Sequence, residues 1–373
     1  MAKNDKKKKH SKKDEGPESE SKATGAPVQP QDGQNDANNQ SAYQFSGVAT
    51  EEDKRRWLNR ADNAPPLIDV NLAEYINKNY ARVPVLDEAE IKRLTLQAVN
   101  SAPIKLGRRI FVKIDVRIVY IDNTYQRLTD SSVTRLVKPY NVDMTNAVTL
   151  SYRDGRFYGL NVIHRGFGAI LTGNFEIVAE VFLDMDQAEE ARWFADQNKG
   201  TTTVKNDQKH RANITGDRVE DITLEQICDI FNMKMTKSQK MPYGLTACKA
   251  ATAIIENRTL GPECLCWIFE IMFQSKWLNI GGCTTAMWLN AMAGVYKKLK
   301  PYPEEFQQEA CRNLVMVMRK VEPLKLNAVG LTMNICHERR SAIGALLDDI
   351  AMGNITVHKV LQYVPENIAN ILS

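Results

Sequence analysis

No stretch of eighteen or more apolar residues occurs in this 373-residue chain, so no membrane span and no membrane partner are expected. The N-terminal lysines lead into more polar residues rather than an apolar core, and no secretory signal is expected. Cysteine is scarce: seven residues, all in the C-terminal half. An odd number without an extracellular signal favours free thiols in a reducing, cytoplasmic compartment. Cys264 and Cys266 are the nearest pair, and no second pair follows at zinc-ligand spacing. Core packing is therefore the expected role of the cysteines. There is no internal repeat of fixed period, no metal cluster and no pair of carboxylates suited to metal-assisted nuclease chemistry. A formal charge of +4 is too small to mark a nucleic-acid binder, so its distribution carries more information than its total.

What is present reads as ordinary globular protein, with 43% hydrophobic and 25% charged residues. The length allows two domains once a tail is set aside. Residues 1–50 form that tail: a lysine block with Lys6, Lys7, Lys8, Lys9, Lys12 and Lys13, then Gln, Asn, Ser, Gly and Pro with acidic residues. Neither piece buries enough apolar area to offset the entropy of ordering, so disorder is expected. The lysines are either a counterion-releasing arm for DNA or RNA or a solubilising tail.

Residues 51–103 read as a helical lead-in, with Leu86, Ile91, Leu94, Leu96 and Val99 at helical spacing in "LDEAEIKRLTLQAV". Residues 104–217 change to an α/β texture. "RRIFVKIDVRIVYI" is strand-like, and "TDSSVTRLVKPY" is a helix capped by Thr129 or Asp130 with a stripe of Val133, Leu136 and Val137. "AVTLSYRDGRFYGLNVI" is a hairpin turning at Asp154-Gly155, and "FEIVAEVFL" is a further strand. "DMDQAEEARWFADQN" opens with a capping box from Asp186 to Glu189. Residues 218–373 read as helical throughout, with Trp267, Trp277 and Trp288 in the core of a bundle.

One junction stands out. The apolar strand ending near Val162 meets His164-Arg165, with Gly166 and Gly168 immediately behind and a short helix running to Gly173. The pair is either a solvated strand end or an anion site. A helix start offers free N–H groups and positive potential, Arg165 a forked donor and His164 donors or a base. The glycines allow a ligand or another backbone segment to come close.

The order "VYIDNTYQR", helix, "VTLSYRDGRFYGLNVIHR", strand, "EEARWFADQN" resembles the ParB/sulfiredoxin-like superfamily over roughly Ile104 to Thr215, particularly the ParB-like proteins of bacteria, phages and mobile elements. The resemblance implies a nucleotide pocket opened by Tyr125, Gln126 and Arg127, with triphosphate at His164 and Arg165, Gly168 as the small residue behind, and Asn198 closing the pocket from a later helix. It implies CTP or ATP with Mg²⁺ as ligand and DNA as partner. Val162 stands where the family has glycine and Ile163 where it has an acidic residue. Because Ile163 occupies the place of the sulfiredoxin cysteine, that reductase chemistry is excluded.

Plainer roles are also open to these residues: Arg127 as a surface charge or structural pair, Asn198 as a helix cap, Tyr125 as packing. Asp122 and Asp154 do not read as a catalytic pair, since Asp154 belongs to the turn. "TLEQICDIFNMKMTKS" has the look of half a helix-turn-helix, with Thr223 as cap and Ile227, Ile230 and Phe231 buried, but no second helix follows. His210-Arg211 and "HERR" (337–340) read as solvated faces. The expected fold class is α+β: a small mixed-sheet ParB-like domain followed by an all-α bundle. Three functions follow: a nucleotide- or nucleic-acid-binding module; an enzyme (nuclease, nucleotide hydrolase or phosphotransferase) with His164 as acid/base; or a degenerate scaffold acting, or self-associating, through its helical region.

Overall fold

In the computed structural model the described residues are 43–58, 64–79, 82–126, 146–198, 206–333 and 339–364, and they fall within one compact unit. The lysine block, Arg127 and the helix expected over "TDSSVTRLVKPY" lie outside them.

Three helices lead in: α1 (Glu51–Leu58), α2 (Val70–Asn79) and α3 (Glu88–Asn100). Asp87 caps α3 by accepting the Glu90 N–H, and the buried side of α3 is Ile91, Thr95 and Ala98. Leu96, expected inside, is 42% exposed. It lies next to Thr95, whose hydroxyl donates back to the Ile91 carbonyl and so tolerates burial.

The sheet holds β1 (Ile104–Leu106), β2 (Arg109–Asp115), β3 (Val119–Tyr120), β4 (Val148–Arg153), β5 (Arg156–Asn161) and β6 (Glu176–Leu183). Their order is β1-β2-β6-β4-β5-β3, with β6 parallel to β4, β3 parallel to β5 and the remaining pairs antiparallel. The apparently continuous strand "RRIFVKIDVRIVYI" is in fact two. Asp115 accepts the Arg117 N–H and also its guanidinium, closing a 3-10 turn at Val116–Ile118. The chain thereby crosses from β2, near one edge, to β3 at the other. The β4–β5 hairpin turns where expected: Asp154 and Gly155 both have positive φ (53° and 75°), as a two-residue primed turn requires.

Helix α4 (Ile163–Leu171) follows β5 directly, and α5 (Gln187–Gln197) follows β6 behind the Asp186–Glu189 capping box. One core gathers sheet residues such as Val112, Ile114, Leu150 and Phe157 with Leu67, Ile76 and α4's Phe167 and Ile170. The opposite face is covered by α5 and α6 (Asn206–Thr215), around Tyr125, Leu160, Ala191 and Ala212. Because both faces are covered, β4 and β5 each bury four consecutive residues and the alternation typical of a half-exposed hairpin is lost.

The helical region comprises α7 (Val219–Ile230), α8 (Cys248–Glu256), α9 (Gly261–Gln274), α10 (Ala286–Leu299), α11 (Glu304–Lys320), α12 (Pro323–Thr332), α13 (Arg339–Ala351) and α14 (Val357–Gln362). It has its own core, where Trp277 and Trp288 meet edge-on with ring centroids 4.8 Å apart. Trp267 is half-buried, donating to the Cys311 sulfur. This region is not purely helical: two-residue strands β7 (Lys234–Met235) and β8 (Gly244–Leu245) pair in parallel. They stand where a recognition helix would be. Thr223 is interior to α7 rather than its cap, and Ile230 is 45% exposed. Among the described residues no helix is long and apolar enough to cross a membrane.

Candidate anion site at the strand-to-helix turn

Strand β5 ends at Asn161, and Val162 occupies the N-cap of α4 with no side chain capping the first turn. The N–H groups of that turn therefore lack a side-chain acceptor at the cap, and they carry the positive end of a nine-residue helix. His164 lies in this turn and is exposed. Val162 is 1% exposed, so its side chain is core rather than pocket lining. Gly159 makes this possible, since a Cβ there would stand 2.2 Å from the Val162 methyl.

Arg165 points elsewhere than the sequence pattern suggests. Its guanidinium donates to the carbonyls of Asn146 and Asn161, each at 2.8 Å, and of Ala147. It thus ties the entry of β4 to the exit of β5 and fixes the turn that carries His164. Gly166 faces protein: a Cβ would stand 2.9 Å from Val116 and 3.0 Å from Leu67. The close approach it permits is that of the core, not of a ligand. Gly168 is buried too, its carbonyl accepting from Thr172. Gln126 is buried and donates to the Gly159 carbonyl, so Gln126 and Arg165 each hold a carbonyl of β5. Asn198 is the C-cap of α5, its amide donating to the Phe194 carbonyl at 2.7 Å.

On the sheet face covered by α5 lies a charged cluster that sequence reasoning missed. Glu190, fully buried on α5, accepts from Ser151, from Tyr125 at 3.2 Å and from Arg153 at 3.1 and 3.2 Å. Arg153 also donates to Asp122 at 2.9 Å, stacks over Tyr158 at 4.1 Å, and Asp122 accepts from Gln187 and Thr124. Burial raises the Glu190 pKa against the pull of Ser151 and Arg153. The cluster pins the Asp122–Gln126 segment, β4 and α5 to one another, which makes Asp122 structural and Tyr125 both packing and hydrogen-bonded.

His210 is a second correction, since it is 5% exposed rather than solvated. Its Nδ1 lies 2.5 Å from Asp221 and its Nε2 2.7 Å from Glu225. Burial opposes charging of this ring, yet Cys248, Asp221 and Glu225 carry its pKa well above the ordinary histidine value. The signal available in the sequence was the i,i+4 spacing of Asp221 and Glu225, which puts both carboxylates on one face of α7. Among the described residues no group of three His, Cys, Asp or Glu side chains is arranged to hold a metal ion.

No curated protein and no solved structure matches the chain. A sequence profile described as "Family of unknown function (DUF6551)" matches residues 120–340, spanning the strand-to-helix turn, both buried charge clusters and most of the helical region. That match covers well over half of the chain, which therefore belongs to the DUF6551 family.

Proposed function

We propose that this protein is a ParB-like module that binds nucleotide, nucleic acid or both and receives a phosphate group at the start of α4. The observation carrying this reading is the direct passage from β5 into a helix whose first turn has no side-chain cap and bears the exposed His164. Backbone N–H groups and helix dipole suit a phosphate oxygen, and His164 supplies a further donor. Arg165 acts chiefly as a brace, contributing charge beside the turn while its donors hold three carbonyls. The mixed sheet agrees with the resemblance in the order of elements around "NVIHRGFGAI".

On this reading the ligand is a nucleoside triphosphate of the CTP or ATP kind with Mg²⁺, DNA is the macromolecular partner, and the lysine block adds non-specific affinity. Its site of action is the cytoplasm. Calorimetric titration of the full chain with CTP and with ATP, each with Mg²⁺, tests it. Saturable heat that weakens in His164→Ala supports the reading, and no heat with either nucleotide rejects it.

A further inference from the structure

The segment that holds β7 and β8 carries charge of one sign. From Met233 to Ile255 the chain has four lysines, Lys234, Lys237, Lys240 and Lys249, all exposed, and neither Asp nor Glu. Ser275 to Pro303, which packs against it, also lacks both acids. The Gly244 carbonyl accepts from the Thr284 hydroxyl at 2.5 Å, the Thr284 carbonyl from the Thr246 hydroxyl at 3.3 Å, and the Leu278 carbonyl from the Tyr243 N–H at 2.7 Å. Gly281 lies flat on the lysine-bearing loop: a Cβ there would stand 2.4 Å from the Gln239 carbonyl oxygen and 2.5 Å from the Lys240 carbonyl carbon. Backbone contacts therefore hold the basic loop in place.

Between the two segments opens a cavity of about 580 Å³, with Lys237, Gln239, Thr246, Lys249, Thr285 and Asn290 on its wall. Among the described residues that line it there is no carboxylate. The next carboxylate along α8, Glu256, is engaged by Arg218. The lysines set the potential of this face. The first turns of α8 and α10, both without a side-chain cap, border the same space and add N–H donors to it.

An acidic protein partner would need aromatic or large apolar anchors at the centre of the contact. The wall offers none, its apolar residues being alanines and Cys248. Ammonium, hydroxyl, amide and backbone N–H donors are instead the groups that meet the phosphate oxygens of nucleic acid. Lys234 and Lys240 lie outside the cavity on the same segment, so the charge runs beyond its mouth. That suits an extended polyanion better than a single nucleotide.

We propose that this face, centred on Lys237 and Lys249, binds the phosphate backbone of duplex DNA without reading its sequence. DNA is the partner taken in the reading above, on which this rests; here it gains a contact surface apart from α4. β7 and β8 stand where a recognition helix would be, so the segment offers lysines to the backbone and no helix to the major groove. Each lysine that meets a phosphate releases counterions, and affinity therefore falls steeply with salt.

The test is fluorescence anisotropy of a labelled random-sequence DNA duplex titrated with the full chain at several salt concentrations. The double variant Lys237→Gln/Lys249→Gln is expected to weaken binding about tenfold at low salt and to flatten the slope of log affinity against log salt by about 1.8, as for two phosphate contacts. The double variant Lys92→Gln/Lys320→Gln removes the same charge from exposed positions on α3 and α11 and is expected to leave the slope unchanged. Equal slopes for the two double variants overturn the proposal, since binding would then follow net charge or the N-terminal lysine block. So does polyglutamate that displaces the labelled duplex from the wild type as well as unlabelled duplex does at equal charge, since the face would then serve an acidic protein. Nucleotide binding at α4 is measured separately. DNA binding indifferent to Lys237 and Lys249 therefore removes this face alone, whereas no DNA binding by the wild type removes it together with the DNA partner.

Discussion

Replacing Glu190 by alanine tests what holds the Asp122–Gln126 segment, β4 and α5 together. The substitution deletes the acceptor of Ser151, Tyr125 and two Arg153 donors in a fully buried setting. Arg153 retains Asp122 at 2.9 Å, so its charge is only partly compensated. Breaking one side of a buried ion pair costs about 3–5 kcal/mol, and the stranded hydroxyls fall within that range rather than adding freely to it. At about 2–4 °C per kcal/mol for a large domain, the melting temperature should fall by on the order of 10 °C. The assay is thermal unfolding by circular dichroism, run as a cycle with Arg153→Met and the double variant. Removing both charges should cost clearly less than the two single changes together, since neither is then left alone. Additive costs, or a Glu190→Ala loss below about 1 kcal/mol, would refute the reasoning. Burial raises the Glu190 pKa, so its protonation favours the folded state as pH falls, and acid unfolding is not driven by this residue.

Arg165→Ala should lower stability by about 1–2 kcal/mol, since one partly buried and two exposed carbonyls lose a charged donor; an unchanged denaturation midpoint would show that Arg165 does not brace the turn. Gly166→Ala should cost about 1–3 kcal/mol by pressing a methyl against Val116 and Leu67, and a stabilised variant in urea titration would contradict the close packing. His210 has a raised folded pKa, so its contribution is full below the ordinary value of 6.5 and is lost as pH rises through the elevated value. The gap in melting temperature between wild type and His210→Gln should therefore shrink with increasing alkalinity, whereas a gap independent of pH would remove the imidazolium from the account.

Features written in adjacent residues were legible. Asp154-Gly155 announces a turn needing positive φ twice, and Asp186 with Glu189 announces a helix start. The strand at Glu176–Leu183 and the helix beginning near His164 also stand as read. The break between β2 and β3 was not legible, because one aspartate closing a 3-10 turn leaves the β-branched pattern intact. Glu190 was hidden for a different reason: its partners Ser151 and Arg153 lie 39 and 37 residues away. Inside α5 it has the look of any exposed helical glutamate. Arg165 bonds to carbonyls, and backbone acceptors carry no residue signature, so a structural arginine and a phosphate-binding one are written identically.

The central claim is that the first turn of α4 receives a phosphate with help from His164. Its most direct test compares the wild-type affinity for CTP or ATP with Mg²⁺ against that of His164→Ala, with melting temperatures recorded for both. The account predicts saturable binding to the wild type, weakened roughly 10- to 100-fold by loss of the donor. Equal affinities for the two proteins, or no binding by either, contradict it.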